Sequence, residues 1–279
     1  MDKLFSYFTA YPTVRYAAVA VVLISVCAAM LGVCLVLKRY SMIGDGLSHV
    51  SFGSTAVATV MGLTTPIYIA LPVTVVTAIL LLRLRHNGSS KGDSAIAMIS
   101  SGALAFGYII LNLFSGNSAN ASTDACATLF GSGILGIEKT DVYVCTVLSC
   151  AVLLFFLLFY NKIFSVTFDE DFATATRQGT AFYNTAISVI CAVTVVVAMN
   201  MLGALLASAL VVFPALSAMR VFRSFRGVVI CSVAIAAVCS LAGIVISLVA
   251  ATAIGPTVVV ADLCAFLLCL TVGFIRERR

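Results

Sequence analysis

Asp45 and His49 are the residues of this chain whose types and spacing best fit a chemical role. They lie four positions apart in the segment Ser41-Met-Ile-Gly-Asp-Gly-Leu-Ser-His49, inside a long apolar stretch. Side chains at i and i+4 of an α-helix share one face, so the carboxylate and the imidazole should point the same way. A divalent cation such as zinc accepts both groups as ligands. The spacing therefore predicts that this pair handles a metal ion.

Two ligands do not complete a zinc site, because a closed site takes four. The missing ligands would come from another helix, from a second copy of the chain or from water. Incomplete coordination suits a transport route, where a bound ion must also leave. Two alternatives stay open. Asp45 and His49 could pair for structural reasons alone, or Asp45 could cap the start of a helix near the membrane interface.

The surrounding sequence is that of a membrane protein. Of its 279 residues, 62% are hydrophobic and only 10% are charged, and the mean hydropathy is +1.16. Continuous apolar runs of about 20 residues match the thickness of a bilayer core. Ionisable groups inside such runs usually line a bundle interior or an ion pathway. The basic residues lie at the ends of the runs rather than in one patch, so membrane lipid is an expected partner and nucleic acid is not.

Nine apolar segments follow one another and predict an all-α, polytopic transmembrane bundle, formed as a single transmembrane domain over residues 1–279. Only Asn200 and Met201 separate the sixth and seventh segments. These two segments could be a tight hairpin or one kinked element, so we expect eight or nine spans. The segments are 16–37, 42–63, 66–82, 94–114, 142–159, 181–199, 202–221, 228–252 and 257–275.

The distribution of basic residues predicts the orientation of the chain. When alternate connections are assigned to opposite faces, thirteen of the sixteen Lys and Arg residues fall on one face. By the positive-inside rule that face of the cell membrane is cytoplasmic. The N-terminus would then lie outside the cell and the C-terminus in the cytoplasm, which requires an odd number of spans and so favours nine. The chain contains no ATP-binding loop, so it is not expected to be an enzyme, and nucleotide-driven work would come from a partner.

The cytoplasmic connection 165–179 departs from this basic trend, because it carries three consecutive acidic residues. These acids would occupy the first turn of a short helix, where the helix dipole favours them. Phe168 and Phe172, spaced i and i+4, would give that helix an aromatic face. The segment is either a docking surface for a cytoplasmic partner or a solvated loop helix. The candidate partner-binding residues are Phe168, Asp169, Glu170, Asp171, Phe172 and Ala173.

Two further aspartates are candidates for the ion pathway. Asp262 falls near the middle of the last apolar segment, where it could line the pathway or, as we favour, form an interhelical hydrogen bond. Asp124 lies in the polar outer connection 115–141. Segment 202–219 has small residues that permit close helix contact, and Pro214 interrupts its backbone hydrogen bonds. Both features predict that this segment packs inside the bundle.

Taken in order, four stretches of the chain resemble the membrane permeases of ATP-binding-cassette importers for zinc and manganese. The resemblance covers most of the chain, and it raises the expectation that Asp45 and His49 handle a metal. It implies an importer-permease-like fold that forms a homodimer, with the pathway at or near the interface of the two copies. The four stretches are 32–49, 123–136, 168–176 and 203–218.

The resemblance also implies partners and residue roles. Two identical ATP-binding-cassette ATPase subunits would dock on the cytoplasmic face, with 168–175 as the coupling helix. An extracytoplasmic metal-binding protein would deliver the ion. Asp45 and His49 would contact the metal in transit, and 115–141 would help to form the outer gate. No cofactor would be bound permanently. The cargo would be zinc, which we favour, or manganese, and iron stays open.

The chain departs from the family pattern at a few positions. Its only histidines are His49 and His86, whereas family members often carry more, and this leaves the metal coordination incomplete. Asp262 and Arg177 stand where small residues are more usual. We predict the transmembrane subunit of an ATP-driven importer for a divalent metal. The alternative is a secondary carrier or channel for a cation that needs no ATPase. A third alternative is a membrane scaffold in which Asp45 and His49 are structural.

Overall fold

The structure is a computed structural model that describes residues 12–63, 65–86, 92–114, 129, 131, 139–176, 179–250 and 252–277. The regular secondary structure of this part of the chain is entirely helical, with nine long helices and one short helix, which confirms the predicted all-α bundle. The helices are α1 (Pro12–Leu37), α2 (Ile43–Val60), α3 (Ile67–His86), α4 (Gly92–Phe114), α5 (Lys139–Phe168), α6 (Glu170–Ala175), α7 (Thr180–Leu202), α8 (Ala204–Val221), α9 (Phe225–Ala250) and α10 (Ile254–Glu277).

Seven of the long helices in the described ranges are long and apolar enough to cross a membrane, namely α1, α4, α5, α7, α8, α9 and α10. α3 has a shorter apolar stretch, Ile67–Leu81. α2 is the helix that carries Asp45 and His49, and its polar side chains lower its hydropathy. The eight or nine expected spans therefore correspond to nine long helices, of which seven meet the requirements of length and composition.

A single glycine divides the sixth and seventh apolar segments into two helices. α7 ends at Leu202, α8 begins at Ala204, and Gly203 between them has a φ of 92°. Glycine reaches this conformation readily because it has no Cβ atom. The division lies just beyond Asn200 and Met201, where the sequence suggested it.

α1 and α8 form the centre of the bundle. Side chains of α1 such as Val21, Leu31 and Cys34 are completely buried. α8 packs against α1, α2, α7, α9 and α10. In contrast, α4, α5 and α10 expose many large apolar side chains on the outside of the bundle. A bilayer would cover this outer apolar surface.

The helices at the centre touch through their backbones where glycine occurs. A Cβ atom placed on Gly32 of α1 would lie 1.9 Å from the carbonyl oxygen of Val211 in α8. A Cβ atom on Gly53 of α2 would lie 2.7 Å from the carbonyl oxygen of Ala103 in α4. Small residues at such crossings allow helices to pack closely in membranes. These two contacts fix α8 against α1 and α4 against α2.

Replacing Gly32 with alanine is expected to destabilise the bundle, because the α8 backbone would have to move away from α1. Overpacking of this kind typically costs about 1–3 kcal/mol. Gly102→Ala in α4 is the matched control, since nothing lies within 4 Å of the Cβ atom it adds. In a helix interior that change favours folding by about 0.5–1 kcal/mol. Thermal unfolding of both variants in one detergent should show a lower midpoint for Gly32→Ala alone. An unchanged midpoint would contradict the close contact.

A short hydrogen-bonded turn joins α1 to α2. Arg39 has a φ of 61°, in the left-handed region, and reverses the chain after α1. The Tyr40 N–H donates to the Leu35 carbonyl at 2.7 Å, and the Ile43 N–H donates to the Tyr40 carbonyl at 3.0 Å. Such bonds satisfy carbonyls at a helix end that would otherwise lack a partner. The turn therefore holds the first turn of α2, which carries Asp45, close to the end of α1.

Candidate metal site

Asp45 and His49 lie on consecutive turns of α2 with their side chains in contact. Asp45 belongs to the first turn of the helix. Nε2 of His49 lies 3.4 Å from Oδ1 of Asp45. The i and i+4 spacing has thus brought the carboxylate and the imidazole together. The distance is longer than that of a well-formed N–H···O hydrogen bond, which is about 2.7–3.2 Å.

The separation of these two atoms fits two ligands of one cation. Zinc bonds to nitrogen and oxygen at about 2.0–2.1 Å, so two ligand atoms in a tetrahedral arrangement lie about 3.4 Å apart. Asp45 Oδ1 and His49 Nε2 have this separation without any change in the helix. The geometry is therefore compatible with one metal ion held by two atoms, and both metal binding and a role in transport stay predictions.

Asp45 opens onto a cavity of about 510 Å³ formed by the start of α2, the first half of α8 and the first turns of α10. Its side chain is 38% exposed, against 14% for His49, so the carboxylate faces the cavity and the imidazole lies behind it. Ser41 and Ser208 contribute hydroxyl groups to the same cavity, whose other walls are mostly apolar. A cation in this cavity would meet the Asp45 carboxylate before it met the imidazole.

His49 is held by packing and by Asp45 rather than by a second hydrogen bond. Its other ring nitrogen, Nδ1, is buried and has no hydrogen-bond partner among the residues that the structure describes. In metal sites this second nitrogen usually donates to a carboxylate or a carbonyl, which orients the ring. The orientation of His49 therefore depends on its contact with Asp45 and on the neighbouring helices.

A third ligand does not join the pair within the described ranges, which contain no group of three or more His, Cys, Asp or Glu residues that could hold a metal ion. The nearby hydroxyls interact locally. Ser48 donates to the Asp45 carbonyl at 2.8 Å, and Ser100 of α4 interacts with the Asp45 carboxylate. The remaining ligands would therefore come from outside this set, from water or from a second copy.

Of the two other candidate pathway aspartates, the structure describes Asp262 alone, and it lies apart from the cavity beside Asp45. Asp262 is completely buried on α10, near Cys239 of α9, and neither carboxyl oxygen makes a hydrogen bond of normal geometry within the described residues. The cavity beside Asp45 is lined by Val259 and Val260 of α10 but not by Asp262. Asp124 lies outside the described residues. Both assignments stay predictions.

The acidic connection forms a short helix, but its aromatic residues belong to different elements. Phe168 is the last residue of α5, where its ring packs 4.8 Å from that of Phe164 and 6.0 Å from that of Phe225. Asp169 caps α6 by accepting a hydrogen bond from the Phe172 N–H at 2.8 Å. The expected aromatic face spanning both residues on one helix is therefore wrong, because the chain turns at Asp169.

α6 has an outer side and an inner side. Phe172 is 58% exposed, whereas Ala173 is completely buried against the bundle. Glu170 also points inward, where its Oε1 accepts a hydrogen bond from Nδ2 of Asn184 at 2.7 Å. The side chain of Asp171 lies outside the described part of the chain. A partner that docks on α6 would meet Phe172 but not Ala173.

Sequence reasoning missed two residues on the inner side of α6. The Nζ of Lys38, at the end of α1, donates to the Oδ1 of Asn184, near the start of α7. Burial lowers the pKa of the Lys38 ammonium, although the nearby Glu170 carboxylate raises it in opposition. Lys38 contributed to the sequence analysis only as a basic residue that sets topology. An asparagine inside an apolar segment was the signal that could have identified Asn184.

Comparison with known proteins gives the class to which this fold and site belong. The family model for the ABC 3 transport family matches residues 10–273. The chain therefore belongs to the ABC 3 transport family. This match confirms the resemblance to importer permeases that the four sequence stretches indicated.

Individual relatives cover almost the whole chain. It is 27% identical to the manganese import system permease protein ScaB of Streptococcus gordonii, over 90% of this chain and 88% of that protein. It is also 27% identical to the high-affinity zinc uptake system membrane protein ZnuB of Haemophilus influenzae, over 92% of this chain and 95% of that protein. Among solved structures, a chain of PsaBC from Streptococcus pneumoniae in complex with Fab has a TM-score of 0.83 and 25% identity, and the match covers 96% of this chain and 94% of that one.

Proposed function

We propose that this chain is the transmembrane subunit of an ATP-driven importer for a divalent metal ion, and that Asp45 and His49 contact the ion in transit. The observation that carries this proposal is the pair of ligand atoms 3.4 Å apart beside a cavity in an apolar bundle. Membership of the ABC 3 transport family supports an ATP-driven importer rather than a secondary carrier. The relatives named for manganese and zinc support a divalent metal as the cargo.

In the proposed complex, partner proteins hydrolyse ATP and deliver the metal ion. Two ATP-binding-cassette ATPase subunits hydrolyse ATP and dock on α6 from the cytoplasm, where Phe172 offers an exposed aromatic ring. An extracytoplasmic metal-binding protein delivers the ion from the other side. The positive-inside rule supports an N-terminus outside the cell and a C-terminus in the cytoplasm. ATP binding and hydrolysis then shift the permease between outward-open and inward-open states.

A second copy of the chain would complete the coordination of the metal. In a homodimer with two-fold symmetry, a pathway along the symmetry axis receives the same residues from both copies. Two aspartates and two histidines would then supply four oxygen and nitrogen ligands, which is the number that zinc takes in closed sites. Zinc is favoured over manganese on this count. Water molecules could replace one or more of these ligands while the ion moves.

The purified chain, reconstituted into vesicles with its ATPase subunits and metal-binding protein, tests the proposal. Uptake of a divalent ion should require ATP. With magnesium already present at saturating concentration for ATP hydrolysis, the hydrolysis rate should rise when zinc or manganese is added but not when calcium or further magnesium is added. Uptake that follows the membrane potential without ATP would instead identify a secondary carrier or channel. Failure of the tagged chain to copurify with an ATP-binding subunit would also contradict the importer.

A further inference from the structure

Three polar side chains join α6 to the turn before Asp45. Nζ of Lys38, the first residue after α1, donates to Oδ1 of Asn184 on α7. Nδ2 of Asn184 donates to Oε1 of Glu170 on α6 at 2.7 Å. The Asn184 amide thus uses its acceptor on one side and a donor on the other. Only this amide stands between the Lys38 ammonium and the Glu170 carboxylate along this row of hydrogen bonds.

We infer that Lys38, Asn184 and Glu170 transmit movement of α6 to the start of α2 and thereby to the Asp45 carboxylate. The inference rests on the proposed importer function, because it assigns how the partner ATPase acts on the metal site. It makes Glu170 a positioning residue on the inner side of α6 rather than a contact for the ATPase. It also gives functions to Lys38 and Asn184, which belong neither to the Asp45–His49 pair nor to α6.

Burial and charge favour movement of the three side chains as one unit. Asn184 is 8% exposed, so water does not readily replace its bonds to Lys38 and Glu170. Burial also lowers the pKa of the Lys38 ammonium, which reflects the partial removal of that charge from water. Hydrogen bonds to charged groups are stronger than neutral ones, and both charged groups of this network, Lys38 and Glu170, are partly buried. A displacement of Glu170 would therefore displace Lys38 rather than break the bonds between them.

α6 has an exposed outer side that a partner could press and an inner side that is bonded to α7. Phe172 points away from the bundle with 58% of its side chain exposed, whereas Ala173 beside it is completely buried. Glu170, two positions before Phe172, bonds inward to Asn184. The Thr174 and Thr180 hydroxyls, 3.0 Å apart, also connect α6 to the start of α7. Pressure on the outer side of so short a helix would shift its inner side as well.

The turn between α1 and α2 passes the movement from Lys38 to Asp45. Lys38 is followed by a turn closed by the Tyr40–Leu35 and Ile43–Tyr40 backbone hydrogen bonds. Because the turn is short and internally bonded, a shift at Lys38 moves the first turn of α2. Ser41 and Met42 of this turn line the cavity onto which Asp45 opens. Coupling between distant sites travels through connected hydrogen bonds and rigid elements of this kind.

The test reverses the hydrogen bond between Asn184 and Glu170, so that residue 170 becomes the donor and residue 184 the acceptor. Asn184→Asp removes the N–H donor and places a carboxylate opposite Glu170, while it still accepts a hydrogen bond from Lys38. In the double variant Asn184→Asp/Glu170→Gln, the Gln amide can donate to the new carboxylate, which restores the connection with its donor and acceptor reversed. Asn200→Asp is the matched control, because Asn200 lies on the same helix and, among the residues that the structure describes, its side chain bonds within that helix, to the Val196 carbonyl at 2.8 Å.

The readout is the number of metal ions taken up per ATP hydrolysed, measured in vesicles with the complete complex. We expect Asn184→Asp to lower this ratio about ten-fold while the ATPase stays bound, because the hydrogen bond that joins Asn184 to Glu170 on α6 is lost. The double variant should recover most of the ratio, and Asn200→Asp should match the wild type. A purely structural network would change the melting temperature of Asn184→Asp without changing this ratio.

The outcomes separate this inference from the proposed function. If the wild-type complex shows no ATP-driven uptake, the importer function itself is wrong. Suppose instead that the wild-type complex transports metal. If Asn184→Asp then keeps the wild-type number of ions per ATP, or if the double variant fails to recover that number, the transmission role is wrong but the importer function is unaffected. Replacement of Asn184 by leucine gives an independent check, because leucine removes both bonds at similar volume. Normal coupling in Asn184→Leu would also overturn the inference.

Discussion

Alanine in place of Asp45 or His49 is expected to reduce metal uptake to background. Each change removes one of the two ligand atoms that lie 3.4 Å apart beside the cavity, and no third His, Cys, Asp or Glu in the described ranges forms a group that could replace it. Metal affinity depends steeply on the number and geometry of ligands, so a pair reduced to one group should no longer capture the ion. The measurement is uptake of a radioactive zinc or manganese isotope into vesicles that contain the whole complex.

Loss of metal uptake in the Asp45 and His49 variants must be distinguished from misfolding of the chain. Ser54→Ala is the matched control in α2, because Ser54 is buried and its hydroxyl, within the described ranges, donates to the Ser51 carbonyl of the same helix at 2.9 Å. Uptake by Ser54→Ala should stay normal. The Asp45 and His49 variants should still assemble with the ATPase and elute at the same volume. Normal uptake by both variants would remove the pair from the transport mechanism.

Alanine in place of Phe172 is expected to weaken attachment of the ATPase by ten-fold or more. Phe172 presents an exposed aromatic ring on the outer side of α6, whereas the neighbouring Ala173 is buried against the bundle. Buried aromatic anchors at interfaces commonly cost more than 2 kcal/mol when truncated. The fraction of ATPase retained on the tagged permease, as a function of ATPase concentration, measures the change.

An exposed phenylalanine elsewhere serves as the control for this experiment. Phe106 of α4 is 59% exposed, close to the value for Phe172, and lies on a helix that faces outward from the bundle. Phe106→Ala should leave ATPase binding unchanged. Equal retention of the ATPase by Phe172→Ala and Phe106→Ala would show that α6 is not the docking surface. Phe168 is a poorer target, because its contacts with Phe164 and Phe225 support the fold.

Much of the fold could be predicted because a membrane helix is indicated by a continuous apolar segment of the sequence. Each apolar segment became a helix, and the i and i+4 spacing of Asp45 and His49 brought the two side chains together. The position of a helix end was harder to predict. Phe168 and Phe172 have helical spacing, but Asp169 caps a new helix between them, so the two rings belong to different elements. A capping side chain competes with continuation of the preceding helix, and an amphipathic pattern does not reveal which prevails.

The parts of the site that sequence could not supply depend on contacts between distant segments. The cavity beside Asp45 takes its other walls from α8 and α10, which lie far along the chain. Lys38 and Asn184 are 146 positions apart, and no periodic pattern relates them. Asp262 shows the same limit. Its own segment does not reveal that it lies buried near Cys239 of α9, and its interhelical role stays a prediction.

The central claim is that one cation bridges the carboxylate and the imidazole on α2. X-ray absorption at the zinc edge measures the atoms bound to the metal, and it is recorded on the permease purified with its ATPase subunits, without the metal-binding protein, and loaded with zinc. The spectrum should show imidazole nitrogen and carboxylate oxygen at about 2.0–2.1 Å. The imidazole contribution should vanish in His49→Ala and remain in Ser54→Ala. A spectrum without imidazole in the wild-type complex, or one that His49→Ala leaves unchanged, would contradict the account.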